Sequence, residues 1–264
     1  MRRRWGILTA MLILVAGLAL ATSSASASTG TMNISPGGPI HLISSSAAGS
    51  ASAHGIGHAT ATSTNWSGYA ATTGTYTSVS ASWTEPTGIC SGSAKYSSFW
   101  VGLDGYNSGS VEQTGTDVDC SGGTPQYYAW YEMYPSPSYS YPDTVRPGDH
   151  ISASVTYTGS NHYSLYITDT TRGWHETRTG TLSAPRSSAE VIVEAPCCTA
   201  SGGTLPLANF GTVSFTGSTA NGSALGSAGG VTKITMINNS GTAKDSVSSL
   251  SGGENFSARW LRAN

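Results

Sequence analysis

The 264-residue chain carries 12 Lys and Arg against 14 Asp and Glu, and only 10% of its residues are charged. Arg2, Arg3 and Arg4 are three of those 12 bases, so beyond them 14 acids face 9 bases, a formal −5. That balance argues against nucleic-acid binding. The low charge density leaves a surface of Ser, Thr, Gly, Asn and Tyr, whose self-repulsion changes little in acid.

The chain opens with a basic start, an apolar run over 7–20 and the small-residue signal Ala25-Ser26-Ala27. This pattern predicts a secretory signal peptide over residues 1–27. The expected protein is secreted and extracellular, with no membrane contact once the signal is removed. Residues 28–64 are Ser, Ala, Gly and Thr with few large side chains, too little apolar surface to fold alone. They read as a flexible leader or propeptide of a zymogen. His54 and His58 lie there and read as solvated, or as a pH trigger for release.

From residue 65 the pattern changes. Alternating stretches rich in Tyr, Val, Thr and Trp recur between Gly, Pro, Ser and Asn. They are TSVSASW (77–83), SSFWVGLD (97–104), QYYAWYEMY (126–134), HISASVTY (150–157), HYSLYITD (162–169), AEVIVEA (189–195), TVSFTG (212–217) and TKITMIN (232–238). Residues 65–264 are expected to form one all-β domain, a sandwich or barrel. No segment has a helical period.

Four cysteines in a secreted chain predict disulfides. Cys90 and Cys120 flank one stretch and form the favoured pair. Cys197 and Cys198 are adjacent, with Cα atoms about 3.8 Å apart, below the usual disulfide range. A crossed pairing stays open. The folded part has no C-x-x-C or H-x-x-x-H pair, so neither a metal nor another cofactor is expected.

Residues i and i+2 share a strand face. Phe99, Val101 and Leu103 therefore oppose Trp100, Gly102 and Asp104. Tyr128, Trp130, Glu132 and Tyr134 share a second face, and Glu190, Ile192 and Glu194 a third. Carboxylates beside large aromatics on three strands suggest a substrate groove. A G-x-S-x-G elbow, a D-T-G or D-S-G loop and an H-E-x-x-H zinc site are all absent. Carboxylate chemistry remains, as glycoside hydrolysis by an acid pair or as peptide hydrolysis.

The ordered set NWSGY (65–69), FWVGLDG (99–105), EQTGTD (112–117), YYAWYEMYP (127–135), RPGD (146–149), AEVIVEAP (189–196) and LANFGTVSF (207–215) resembles the glutamic peptidases, the G1 or eqolisin family. The resemblance implies two large bent antiparallel sheets, a concanavalin-like sandwich whose concave face is the substrate cleft. It implies Gln113 and Glu194 as the catalytic pair. Trp100, Asp104, Asp117, Trp130, Glu132 and Tyr134 fall at positions that line or support the cleft. Glu190 shares Glu194's face and reads as support or as a solvent-facing acid, while Glu112 reads as structural. The implied mechanism has Glu194 take a proton from water and the Gln113 amide stabilise the oxyanion. The expected enzyme is an acid-acting endopeptidase, a monomer acting on polypeptides. A glycosidase or carbohydrate-binding sandwich is the alternative. Two positions depart from the family pattern: Tyr128 stands where an aspartate is expected, and Ala195-Pro196 where Asp-Phe is.

Overall fold

Short stretches with alternating inward and outward residues lay down strand after strand, and turns at Gly and Asn reverse the chain between them. The computed structural model describes residues 42–46, 58–196 and 203–264, all within the unit Asn33–Asn264. In chain order the strands are β1 (Leu42–Ser46), β2 (Ala59–Ser63), β3 (Trp66–Ala71), β4 (Ser78–Thr84), β5 (Lys95–Leu103), β6 (Val111–Ser121), β7 (Thr124–Tyr134) and β8 (Tyr139–Thr144). They continue as β9 (His150–Gly159), β10 (His162–Asp169), β11 (Trp174–Thr181), β12 (Ala189–Glu194), β13 (Thr212–Ala220), β14 (Ser223–Ala224), β15 (Val231–Met236), β16 (Asp245–Val247) and β17 (Phe256–Trp260).

Two sheets result. One has nine strands in the order β1-β2-β15-β3-β12-β5-β6-β7-β8, and the other eight, including β11-β10-β9-β4-β13-β17-β16 with β14 on β13. Among these strands only β15 and β2 pair in parallel. The sheets bury Phe99, Val101, Leu103, Val191 and Val193 of the first against Val79, Trp83, Val155, Leu165 and Phe215 of the second. Phe215 stacks on Phe256 at 5.0 Å between centroids. Burying one such aromatic contributes roughly 1.5–3 kcal/mol. The all-β, two-sheet expectation holds, and each of the eight alternating stretches contains a strand.

Three further outcomes concern the termini and cysteines. The sheet begins before residue 65, because β1 and β2 lie inside the 28–64 stretch read as leader. β2 is tied in by its ladder to β15 and by the Ser63 hydroxyl, which donates to Asn65 Oδ1 and accepts from the Trp66 amide. The Cys90–Cys120 disulfide is formed. His54, Cys197 and Cys198 lie outside the described residues.

Candidate active site

The outer face of the nine-stranded sheet carries the groups of interest, and strand register arranges them in rows. Glu190 pairs with Gly102, Gly102 with Gln113, and Gln113 with Glu132. The next row runs Ile192, Trp100, Gly115, Trp130, and the third Glu194, Ser98, Asp117, Tyr128. Alternation puts their neighbours Val191, Val193, Phe99 and Val118 into the core between the sheets. Trp66, Trp100, Trp130 and Ile192 form a second apolar cluster on the outer face.

Glycines make room for the tryptophans. A Cβ on Gly115 would lie 2.6 Å from Trp100 Cβ, and one on Gly102 would lie 2.8 Å from Trp100 Cζ3. The Trp100 ring therefore lies flat enough to reach both flanking rows. Its Nε1 donates to Glu194 Oε2 at 2.9 Å, and Asn65 Nδ2 donates to Glu194 Oε1 at 3.2 Å. Trp66 packs edge-on against Trp100 at 4.9 Å.

Gln113 Nε2 donates to Glu132 Oε2 at 2.6 Å. A carboxylate only accepts, so the amide nitrogen must face it. The nitrogen keeps a second N–H, and Gln113 Oε1 has no hydrogen-bond partner. Gln113 and Glu194 sit two strands and four residues apart, roughly 16 Å between Cα atoms on a flat sheet. Both side chains are long, and both answer to Glu132, which accepts from Gln113 and whose charge acts on Glu194. Burial pushes the Glu194 carboxyl well above its ordinary range, the charge of Glu132 adds to this, and the bonds from Trp100 and Asn65 oppose it.

Each implied support residue has a place. Asp117 Oδ1 accepts from Trp130 Nε1 at 2.5 Å. Tyr128 places its hydroxyl between Asp117 and Asp119, so the departure from aspartate at 128 leaves two carboxyls in this part of the face. Tyr134 packs half-buried against the outer-face cluster. Asp104 lies in a turn after β5: it has φ 69° and accepts from the amides of Arg186 and Ser187, both at 2.8 Å. Glu190 is fully buried, with the Ser188 side chain as its neighbouring donor, which corrects the solvent-facing reading. Burial raises its carboxyl well above the ordinary range, with the charges of Asp104 and Glu112 adding to the effect. The Ala195-Pro196 departure is harmless to the ladder. Ala195 N donates to Asn65 O at 2.8 Å, and the proline follows this last bond.

Sequence reasoning assigned no role to Asn65, Trp66 or Asp119. The NWSGY stretch held the signal for the first two, since a polar Asn stands directly before a strand that opens on a large Trp among mostly small residues. A shallow groove of about 240 Å³ lies elsewhere, on the outer face of the eight-stranded sheet, lined by Ser80, Ser82, Ser152, Ser154 and Tyr166. It holds no carboxylate and is not the candidate site.

The sequence profile of the Peptidase A4 family matches residues 64–260. Among solved structures, scytalido-glutamic peptidase with a transition state analog inhibitor is similar at TM-score 0.65 and 28% identity, covering 75% of this chain and 98% of that one. Aspergilloglutamic peptidase from Aspergillus niger is similar at 0.56 and 29%, covering 63% and 99%. SCP-B, a member of the eqolisin family in a complex with the tripeptide Ala-Ile-His, shares the fold at 0.60 and 24%, covering 75% and 98%. No curated protein sequence matches the chain.

Proposed function

Because the chain belongs to the Peptidase A4 family and is by family and fold a glutamic endopeptidase, we propose that it is a secreted, acid-acting enzyme whose Gln113 and Glu194 cleave peptide bonds around one water. Ionised Glu194 takes a proton from that water as its oxygen attacks the peptide carbonyl carbon. The free N–H of Gln113 donates to the developing oxyanion. Protonated Glu194 then delivers its proton to the leaving nitrogen as the C–N bond breaks. Gln113 does not titrate, so its donor persists in acid, where a histidine base would be protonated.

The observation that carries this reading is the link through Glu132. That carboxylate holds the Gln113 amide and is also the charge that most raises Glu194. The similar scytalido-glutamic peptidase was solved with a peptide based transition state analog, which supports polypeptide substrates here. The Ser-, Ala- and Gly-rich stretch ahead of β2 has too little apolar surface to fold alone and supports a zymogen matured by cleavage upstream of β2. Once water enters the cleft, the burial that raises Glu194 is relieved and the base can ionise.

A second reading rests on register, since Glu190 shares the row of Gln113 across Gly102. The charges that act on Glu190 are those of Asp104 and Glu112, and Glu112 pairs with Leu103 and Met133 outside that row, whereas Glu194 is acted on by Glu132 of the row itself, so Glu194 is preferred. The test is hydrolysis of a denatured protein at about pH 3–5, bracketing the ordinary glutamate range, by matured Glu194→Gln and Glu190→Gln side by side. Loss only in Glu194→Gln supports the pair proposed. Loss only in Glu190→Gln transfers the base to Glu190.

A further inference from the structure

Tyr128 Oη lies 2.9 Å from Asp117 Oδ2 and 2.8 Å from Asp119 Oδ2. A phenol has one proton to donate. It can satisfy one carboxylate; the other contact is a hydrogen bond only if that carboxyl supplies a proton of its own. The partners decide which is which. Asp117 already accepts from Trp130 Nε1, so two donors converge on it and it is the carboxylate. Asp119 is then the acid, donating through Oδ2 to Tyr128 Oη, and its Oδ1 has no partner. The order is Asp119–Tyr128–Asp117–Trp130, each member donating to the next except at Asp117, which accepts from both sides.

Asp117 is fully buried and Asp119 is 5% exposed. Tyr96 and Ser98 face the pair from β5, Gln126 and Trp130 from β7, and Thr144 from β8 by pairing with Tyr128. Glu194 shares the row of Ser98 and Asp117. None of these groups is a cation. We propose that Asp119 and Tyr128 are positioning residues that hold Trp130 against the substrate only while the two aspartates share a proton, so that substrate binding weakens as pH rises. Burial supports this by raising both carboxyls. When the shared proton is lost, two carboxylates face one phenol oxygen and the contact at Asp119 becomes repulsive. Asp117 then shifts, and Trp130 loses its anchor.

The inference rests on the outer face being the peptidase groove. It is tested with matured enzyme on a quenched fluorescent peptide, KM and kcat being followed separately from acid to neutral pH. In the wild type KM rises up to about tenfold per pH unit once the shared proton is lost, while the acid limb of kcat is unaffected. Asp119→Asn supplies a permanent N–H to Tyr128 and should hold KM flat over the same range. Tyr128→Phe breaks the bridge at every pH and should show the raised KM already in acid. A wild-type pH dependence of KM in Asp119→Asn, or a wild-type KM in Tyr128→Phe, overturns the proposal. Infrared difference spectra give a readout independent of catalysis. On raising the pH, the slowed Gln113→Ala protein should lose one more buried carboxylic-acid carbonyl stretch than Gln113→Ala/Asp119→Asn does, the raised Glu85 and Glu112 being common to both. An equal loss in the two variants also overturns the proposal. Full activity in Gln113→Ala would instead sink the catalytic pair and leave the infrared result standing.

Discussion

Trp100 Nε1 donates to Glu194 Oε2 while the far edge of the same indole covers Gly102, so one ring holds the carboxyl in one row and occupies the space beside Gln113 in another. Gly115 completes the seat. A methyl there would lie 2.6 Å from Trp100 Cβ and 2.8 Å from its Cα, and would press on the Phe99 carbonyl as well. These are main-chain and inner side-chain atoms, which cannot rotate away. Gly115→Ala should therefore destabilise by about 1–3 kcal/mol, the usual range for overpacking, and reduce activity by displacing Trp100. Denaturant midpoints and peptide hydrolysis measure the two effects, and an unchanged midpoint would contradict the packing.

Gln113→Ala should lower kcat by at least about 10²–10³, the usual cost of one oxyanion donor. Glu194→Gln should abolish turnover, because a carboxamide cannot take a proton from water. The two should differ in stability. Glu194→Gln replaces a buried ionisable group with a neutral one that still accepts from Trp100. Gln113→Ala leaves Glu132 without its 2.6 Å donor. Steady-state kinetics with a thermal melt of each variant separates loss of chemistry from loss of structure.

Eleven of the 14 acids are buried: Glu85, Asp104, Glu112, Asp117, Asp119, Glu132, Asp149, Asp169, Glu190, Glu194 and Asp245. Glu112 is pushed up from 4.5 to about 9 by burial and then by the charge of Asp104. Burial likewise raises Glu85 to about 8. A raised carboxyl binds its proton more tightly in the folded state than in the unfolded one. Folding is therefore fully supported below about pH 4.5, and stability falls as pH rises from there towards 8–9. The slope is about 1.4 kcal/mol per pH unit for each such group. The melting temperature should be highest in acid and decline through neutrality. Glu112→Gln should flatten that decline while leaving the acid value unchanged. A melting temperature that rises between pH 4 and 7 would refute the sign, the interval lying between the unfolded and folded carboxyl values.

The parts of the fold legible in the sequence were those whose two faces differ. β5, β7, β10 and β12 alternate large apolar and other residues, and each was found. β6 was not read as a strand, because its outer positions are Gln113, Gly115, Asp117 and Asp119, the composition of a turn. Its core side is Thr114, Thr116 and Val118, too polar to signal burial. The site's long-range logic was legible only as motifs. Nothing in the order of residues says that Asn65 reaches Glu194 or that Tyr128 bridges two aspartates, since both depend on register between distant strands. β2 was missed for a different reason. Its Ala and Thr side chains carry almost no apolar signal, and its place is fixed by the ladder to β15, more than a hundred residues away.

The Cys90–Cys120 disulfide closes a span of 30 residues that contains β5 and all but the last residue of β6, and therefore Trp100, Gln113 and Asp117. In the chain-entropy account, a loop of that length stabilises the fold by about 3–4 kcal/mol. Cys120 is buried at the end of β6 in register with Lys95, so the bridge also fixes where the β5–β6 ladder ends. The paired Cys90→Ser/Cys120→Ser protein should have an unfolding free energy lower by that amount, seen as an earlier denaturant midpoint. It should retain hydrolysis at low temperature, because the rows of the site are set by backbone pairing and not by the sulfurs. Equilibrium unfolding of both proteins in acid measures the difference. Loss of all activity in a variant that remains folded would mean that the disulfide positions the site directly.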